Sequence, residues 1–168
     1  MAIEWWTRVN QGFSIAELLR STAAVLDDIG FPGIEMALRP EGATSEVIGY
    51  GRTDIEVRIS TADGEHSNTF GFQDFGDPSD PELGGWITVT PWRDNLSIVL
   101  SIAVIIAAAK LTKALVVDES QLLGGRQQAP EDLIEAIKRH SVERFAPPVE
   151  KAQSLLRSFQ PGLLIAGQ

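Results

Sequence analysis

The segment Asp63-Gly64-Glu65-His66 brings two carboxylates and an imidazole together within four residues. Mixed oxygen and nitrogen donors of this kind suit a divalent metal. Asp63, Glu65 and His66 are therefore the candidate metal ligands, and they carry one reading of the chain as a small metal-dependent enzyme or metal-binding domain. The competing reading is a plain hairpin, because Asp-Gly is a favoured pair in tight turns. A second group of oxygens, Asp74, Asp77, Asp80 and Glu82, lies in the loop "QDFGDPSDPELGG". Calcium takes six to eight oxygens, but this spacing departs from an EF-hand loop. Nothing in the spacing selects a carboxylate pair for glycoside hydrolysis. The other histidine, His140, follows Lys138 and Arg139, where a helix end would favour positive charge. There is no G-x-S-x-G elbow and no complete dinucleotide or phosphate-loop fingerprint. The absence of cysteine excludes disulfides, thiolate metal sites and cysteine nucleophiles, and it fits a reducing cytoplasm. The residue types name no cofactor, and they favour a non-enzymatic protein over an enzyme.

Whatever these side chains do, periodic elements must position them. "FSIAELLRSTAAVLDDIGFPG" predicts a helix from Ser14 to Gly30. Ser14 and Glu17 have capping-box spacing, and Gly30 followed by Pro32 supplies the stop. From Leu96 to Ala109 the chain runs fourteen residues without a charge. A bilayer span needs about 20 apolar residues, so the expectation is a buried central helix, capped by Asp94 or Asn95 and covered on nearly all sides. Ser97, Ser101, Ala108 and Thr112 mark a row of small residues where a neighbour could approach closely.

Between these helices, residues 33–40, 45–51, 53–60, 67–73 and 85–91 read as short strands. Ile55, Val57 and Ile59 alternate with Glu56 and Arg58, the pattern of a strand with one buried face. Further on, "ALVVDES" reads as a strand and "LLGGRQQ" as a loop. "APEDLIEAIKRH" and "PPVEKAQSLLRSF" read as helices, the second with Val149, Ala152, Leu155, Leu156 and Phe159 on one face. Residues 1–168 are expected to form one α+β domain: an antiparallel sheet of four to six strands packed against the central helix and flanked by others. Residues 1–13, with Trp5 and Trp6, are a strand or a lid, and 161–168 are an apolar tail. The opening residues do not resemble a secretory signal.

The charge is uneven. From Glu41 to Glu82 there are ten acids against two bases, Arg52 and Arg58, a net of −8 out of the total of −9. Nucleic-acid binding is disfavoured by this balance. A concentrated negative field would steer a basic protein partner. Glu56, Asp63, Glu65, Asp74, Asp77, Asp80 and Glu82 are the candidate partner-binding acids, with Tyr50, Phe75 and Trp86 as aromatic anchors interleaved among them.

From Gly85 to Ile137 the order is a strand, an alanine-rich apolar helix, "LTKALVVDES" and a helix opened by "PEDL". This order resembles small bacterial immunity proteins that neutralise polymorphic toxins, although those often carry Gly where this chain has Lys113-Ala114. The resemblance implies an inhibitor that occludes the basic cleft of a toxin, and it assigns no residue. The expectation is thus a cytoplasmic binding protein with a basic protein partner and no membrane. Alternatives are the metal-dependent reading above and a structural subunit, such as a homodimer, assembling through the tail Leu163–Ala166.

Overall fold

The computed structural model describes residues 3–49, 54–74, 85–140 and 145–166. Its architecture is the expected α+β class. The main sheet is antiparallel throughout, in the order β3-β5-β6-β7-β1-β8-β9. These strands are β1 (Trp5–Arg8), β3 (Met36–Arg39), β5 (Ile55–Thr61), β6 (Ser67–Gln73), β7 (Trp86–Pro91), β8 (Val116–Val117) and β9 (Gln127–Gln128). A separate two-stranded ribbon joins β2 (Phe13–Ser14) to β4 (Val47–Ile48).

The helices are α1 (Ile15–Asp28), α2 (Asn95–Thr112), α3 (Pro130–Lys138) and α4 (Pro148–Phe159). In α1 both halves of the capping box form: Glu17 N–H donates to Ser14 Oγ at 3.2 Å, and Ser14 N–H donates to Glu17 Oε2 at 2.7 Å. Ile15, Leu18, Thr22, Val25 and Leu26 face inward. Gly30, at φ +94°, then turns the chain out of the helix. Asp94 caps α2 by accepting from Ser97 N–H at 2.8 Å.

Of the eighteen residues in α2, all but Lys110 and Leu111 are buried. One side of α2 packs on β6, β7, β1 and β8, and the other side meets α1, α3 and α4. The helix is long and apolar enough to cross a membrane by length and composition, yet 89% of it is covered by the rest of the protein. Its small residues mark close approaches. Ser67 N–H, at the start of β6, donates to Ser97 Oγ at 2.8 Å, and Ser101 Oγ donates back to the Ser97 carbonyl at 2.6 Å.

Several elements differ from the sequence expectation. Of the two alternatives for the first tryptophans, strand or lid, they form a strand, and β1 lies inside the sheet between β7 and β8. The strand expected over 45–51 contracts to Val47–Ile48 and joins the small ribbon, with 50–53 outside the described residues. The loop expected over 122–128 ends in β9. Val149, expected on the buried face of α4, is 38% exposed. Lys151 is buried in its place, and its Nζ donates to the Gly30 carbonyl at 3.3 Å. That carbonyl belongs to the turn that ends α1, so a cation is well placed there. The tail docks on its own chain, since Leu163 is buried. The Asn95 amide holds Ile165, accepting from its N–H at 2.8 Å and donating to its carbonyl at 3.2 Å.

The hydrogen bonds from Ser14 hold the Glu17 carboxyl below the usual carboxylate range. A carboxylate with a lowered folded-state pKa adds stability above its unfolded pKa, about 4.3, and loses it as pH falls through the folded value. Ser14→Ala is expected to lower stability by about 1 kcal/mol in urea unfolding at neutral pH. Glu17→Gln is expected to be less stable than the parent at pH 7, with the difference closing in melts recorded below about pH 4.

Candidate functional site

Strand alternation divides the main sheet into two chemically distinct faces. Leu38, Val57, Ile59, Phe70, Phe72, Ile87, Val89, Trp5 and Val116 are buried on the side that meets α2. The register carries the opposite set across the strands. One row runs Glu56, Gly71, Thr88, Trp6 and Val117; a second runs Arg39, Arg58, Thr69 and Thr90; a third pairs Gln73 with Trp86 and Trp86 with Arg8. Most members of these rows are exposed or half-buried, and α2, which α1, α3 and α4 cover, packs on the other side. Within these rows Arg8, Arg39 and Arg58 stand with one carboxylate, Glu56.

The aromatic groups on the open face are held in fixed pairs. Trp6 and Trp86 meet edge to face, with ring centres 4.4 Å apart. The Arg8 guanidinium lies 4.9 Å from the Trp86 ring. Beyond the end of β7, Arg58 stacks 3.9 Å over Trp92 while its Nε donates to Ser67 Oγ at 3.0 Å. Trp92 is 48% exposed. Gly85 makes the Trp86 position possible, because a Cβ there would run into the Phe72 ring and the Gln73 carbonyl.

Where β1 meets β8 a cleft of about 720 Å³ opens between the sheet, the end of α2 and the start of α3. Trp6, Trp86, Leu115 and Val117 supply its apolar surface, and Arg8, Lys110 and Lys113 its cations, against one carboxylate among the described residues, Glu131. The cation at the helix end has an unusual backbone. Lys113 closes α2 in the left-handed region, at φ +56°, where glycine is the ordinary residue. The nearby carbonyls have partners from the β1–β2 connection: Gln11 Nε2 donates to Leu111 O at 2.6 Å and Asn10 Nδ2 to Lys113 O at 3.3 Å. Thr7 Oγ1 donates to Leu115 O at 2.8 Å, fixing the start of the opposite wall.

The residues singled out in the sequence lie elsewhere and apart. Asp63 is committed to the β5–β6 turn, where its Oδ1 accepts from Thr61 Oγ1 at 2.6 Å and from Glu65 N–H at 3.0 Å. These bonds, the Thr61 hydroxyl first, hold its carboxyl below the usual range. Glu65 is exposed beside it. His66 turns instead to Asp94, with Nδ1 2.8 Å from Oδ1. Asp63, Glu65 and His66 therefore do not converge, and among the described residues no three of His, Asp and Glu could hold a metal ion. Asp74 lies at the other end of the hairpin, its N–H donating to Asp54 Oδ1 at 3.1 Å. The strands between separate it from Asp63 and Glu65 by roughly 20 Å. Glu56 stands on the open face in the row with Gly71 and Thr88, and the expected anchor Trp86 reaches the cleft. Phe75, Asp77, Asp80 and Glu82 lie outside the described residues.

Sequence reasoning missed two arrangements. The first is His66–Asp94–Ser97, in which Ser97 Oγ also donates to Asp94. It has the residue types of a hydrolytic triad but the wrong order: the acid is central, and the serine is fully buried and bonded to it. A nucleophile needs its hydroxyl on the base, so this cluster caps a helix. The second is the cleft itself, drawn from β1, β7, the end of α2, β8 and α3. His140 packs edge to face on Phe159, with ring centres 5.3 Å apart, which is a packing role.

No family model matches the chain, and no curated protein or solved structure is significantly similar to it.

A lysine in the left-handed region costs about 1–2 kcal/mol relative to a relaxed conformation, and glycine avoids that cost. Lys113→Gly is therefore expected to raise the stability of the folded chain by roughly 1 kcal/mol, read from urea midpoints at an unchanged slope. A loss of stability would mean that the lysine side chain is held by contacts that outweigh the strain.

Proposed function

We propose that the chain is a non-enzymatic binding protein that receives a macromolecular partner on the open face of its main sheet. The observation that carries this reading is the gathering of Trp6, Trp86 and Trp92 with Arg8 and Arg58 on that face. A solvated sheet face is ordinarily polar. Tryptophan and arginine dominate the energetics of protein interfaces because they bury large area and make directional contacts. Here the stacked pairs already restrict the side chains, which lowers the entropy lost on docking. Within the paired rows of the face three guanidinium groups stand with one carboxylate, a balance that suits an acidic partner. The buried, acid-centred Ser97 cluster supports a binding role over a hydrolytic one.

A second reading keeps the basic partner, in the manner of an immunity-type inhibitor. It is favoured by the exposure of Glu56, Asp63 and Glu65 along the β5–β6 hairpin. The separation of Asp63 and Glu65 from Asp74 weighs against one continuous acidic patch.

One experiment separates the two. The immobilised full chain captures its partner from the native host at low and high salt, alongside Arg58→Ala/Trp92→Ala and Glu56→Gln/Asp63→Asn/Glu65→Gln variants matched for melting temperature. The expected result is at least tenfold weaker capture by the first variant and undiminished capture by the second. The reverse pattern establishes the basic-partner reading. A partner retained equally by both variants overturns docking on either surface.

A further inference from the structure

We propose that the cleft between β1, β8 and the end of α2 binds a small anion with a planar aromatic body. The anionic head would sit against Lys110 and Lys113, and the ring against Trp6 and Trp86. The volume of about 720 Å³ falls within the 300–1,000 Å³ range of small-molecule sites. An apolar interior with a few convergent polar groups at the rim is the usual composition of such sites.

The sign of the head follows from the charges. Among the described residues, three cations face one carboxylate, Glu131, in a chain whose net charge is −9. Arg8, Lys110 and Lys113 form no ion pair among the described residues, so no carboxylate of those residues neutralises them at the cleft. Nor do the last carbonyls of α2 absorb the lysines, since Asn10 and Gln11 already donate to Lys113 O and Leu111 O. The ammonium groups are left for something that enters from outside. A strained left-handed lysine at the mouth, where glycine would be relaxed, points the same way: strain of this kind persists where the side chain is used.

The body of the ligand follows from the walls. Trp6 and Trp86 stand at 77° to each other. A flat ring can therefore lie on one indole face and meet the edge of the other, the offset arrangement aromatic groups prefer. Arg8, already stacked near Trp86, can accompany the ring and reach the head. A carboxylate or a phosphate ester would serve equally as the head, since both accept from ammonium and guanidinium groups. The cleft keeps this property whether or not a partner docks on the rest of the face.

The test is a titration of the full chain, followed by the indole N–H signals of its tryptophans in proton–nitrogen correlation spectra. The probes are indole-3-acetate and adenosine 5′-monophosphate, with indole-3-acetamide, adenosine and inorganic phosphate as controls. The expected result is a saturable shift of the Trp6 and Trp86 signals with at least one anionic aromatic probe. Its neutral counterpart and inorganic phosphate should bind at least tenfold more weakly. Which probe binds identifies the combination of ring and anionic head that the cleft accepts. Lys110→Ala/Lys113→Ala should weaken binding at least tenfold. Lys113→Gly, which relaxes the backbone, should weaken it without loss of fold. Saturation by neither probe, equal binding of the neutral counterparts, or an unchanged affinity in the lysine variants would overturn the assignment. Each of these outcomes leaves the macromolecular reading standing, because Arg58 and Trp92 are not in the cleft.

Discussion

Helix α2 has no polar face to give to solvent, and the rest of the fold follows from that. A helix apolar on all sides has to be enclosed on all sides. The sheet closes one flank, and α1, α3 and α4 close the other. The described helices thereby gather around α2 on one side of the sheet. The opposite side keeps its strand alternation, and among the described residues no helix spans its rows. The open face is thus what remains of the described sheet once α2 has been enclosed.

A helix this uniform carries little information about its own rotation or register. Leu, Ile, Val and Ala side chains could pack in several settings with similar gain, since fit rather than hydrophobicity selects one. The polar groups at its start remove that freedom. Asp94 takes the Ser97 N–H and hydroxyl together with the His66 ring, while Ser97 accepts the Ser67 N–H from β6. Asn95 ties the same end to Ile165. Each bond is unavailable if the helix slides or turns, and a buried polar group left unpaired costs about 1–3 kcal/mol. The residues that look like a catalytic cluster thus serve as the register pin of an otherwise featureless cylinder.

This division explains what could be read from the sequence. Helix α1 announces itself because its signals are local: Ser14, Glu17, Gly30 and the apolar stripe all act within one turn or two. Helix α2 is legible from composition alone. Strand β5 is legible from Ile55, Val57 and Ile59, and the same period of two already puts Glu56 and Arg58 side by side on the outer face. The place of β1 is not local. Four residues, "WWTR", could lie on an edge or fold over as a lid, and only pairing with β7 and β8, far along the chain, fixes them inside the sheet. The two-residue strands β8 and β9 are shorter than any periodic signal. The cleft was invisible for the same reason, since its cations and indoles come from three separate segments, at residues 6–8, 86 and 110–113.

Counting charge along the chain misleads in a related way. The excess of acids between Glu41 and Glu82 is a property of the string, whereas a ligand meets a surface. Two strand residues separated by one position share a face, but residues at the two ends of a hairpin lie a strand length apart however close they are in sequence. Asp63 and Glu65 sit at one end of β5 and β6, and Asp74 at the other. The bases, sparse in the sequence, are brought together by the fold: Arg39 lies opposite Arg58 in register, and Arg8 joins Lys110 and Lys113 at the cleft. Because potentials in a concave, low-dielectric site are dominated by the nearest charges, a local excess of two positive charges at the cleft governs what enters there. The acidic remainder of the surface then acts at longer range, where salt screens it beyond about 10 Å. An acidic protein can in this way present a cationic site, and its recognition chemistry follows from the walls of that site rather than from its isoelectric point.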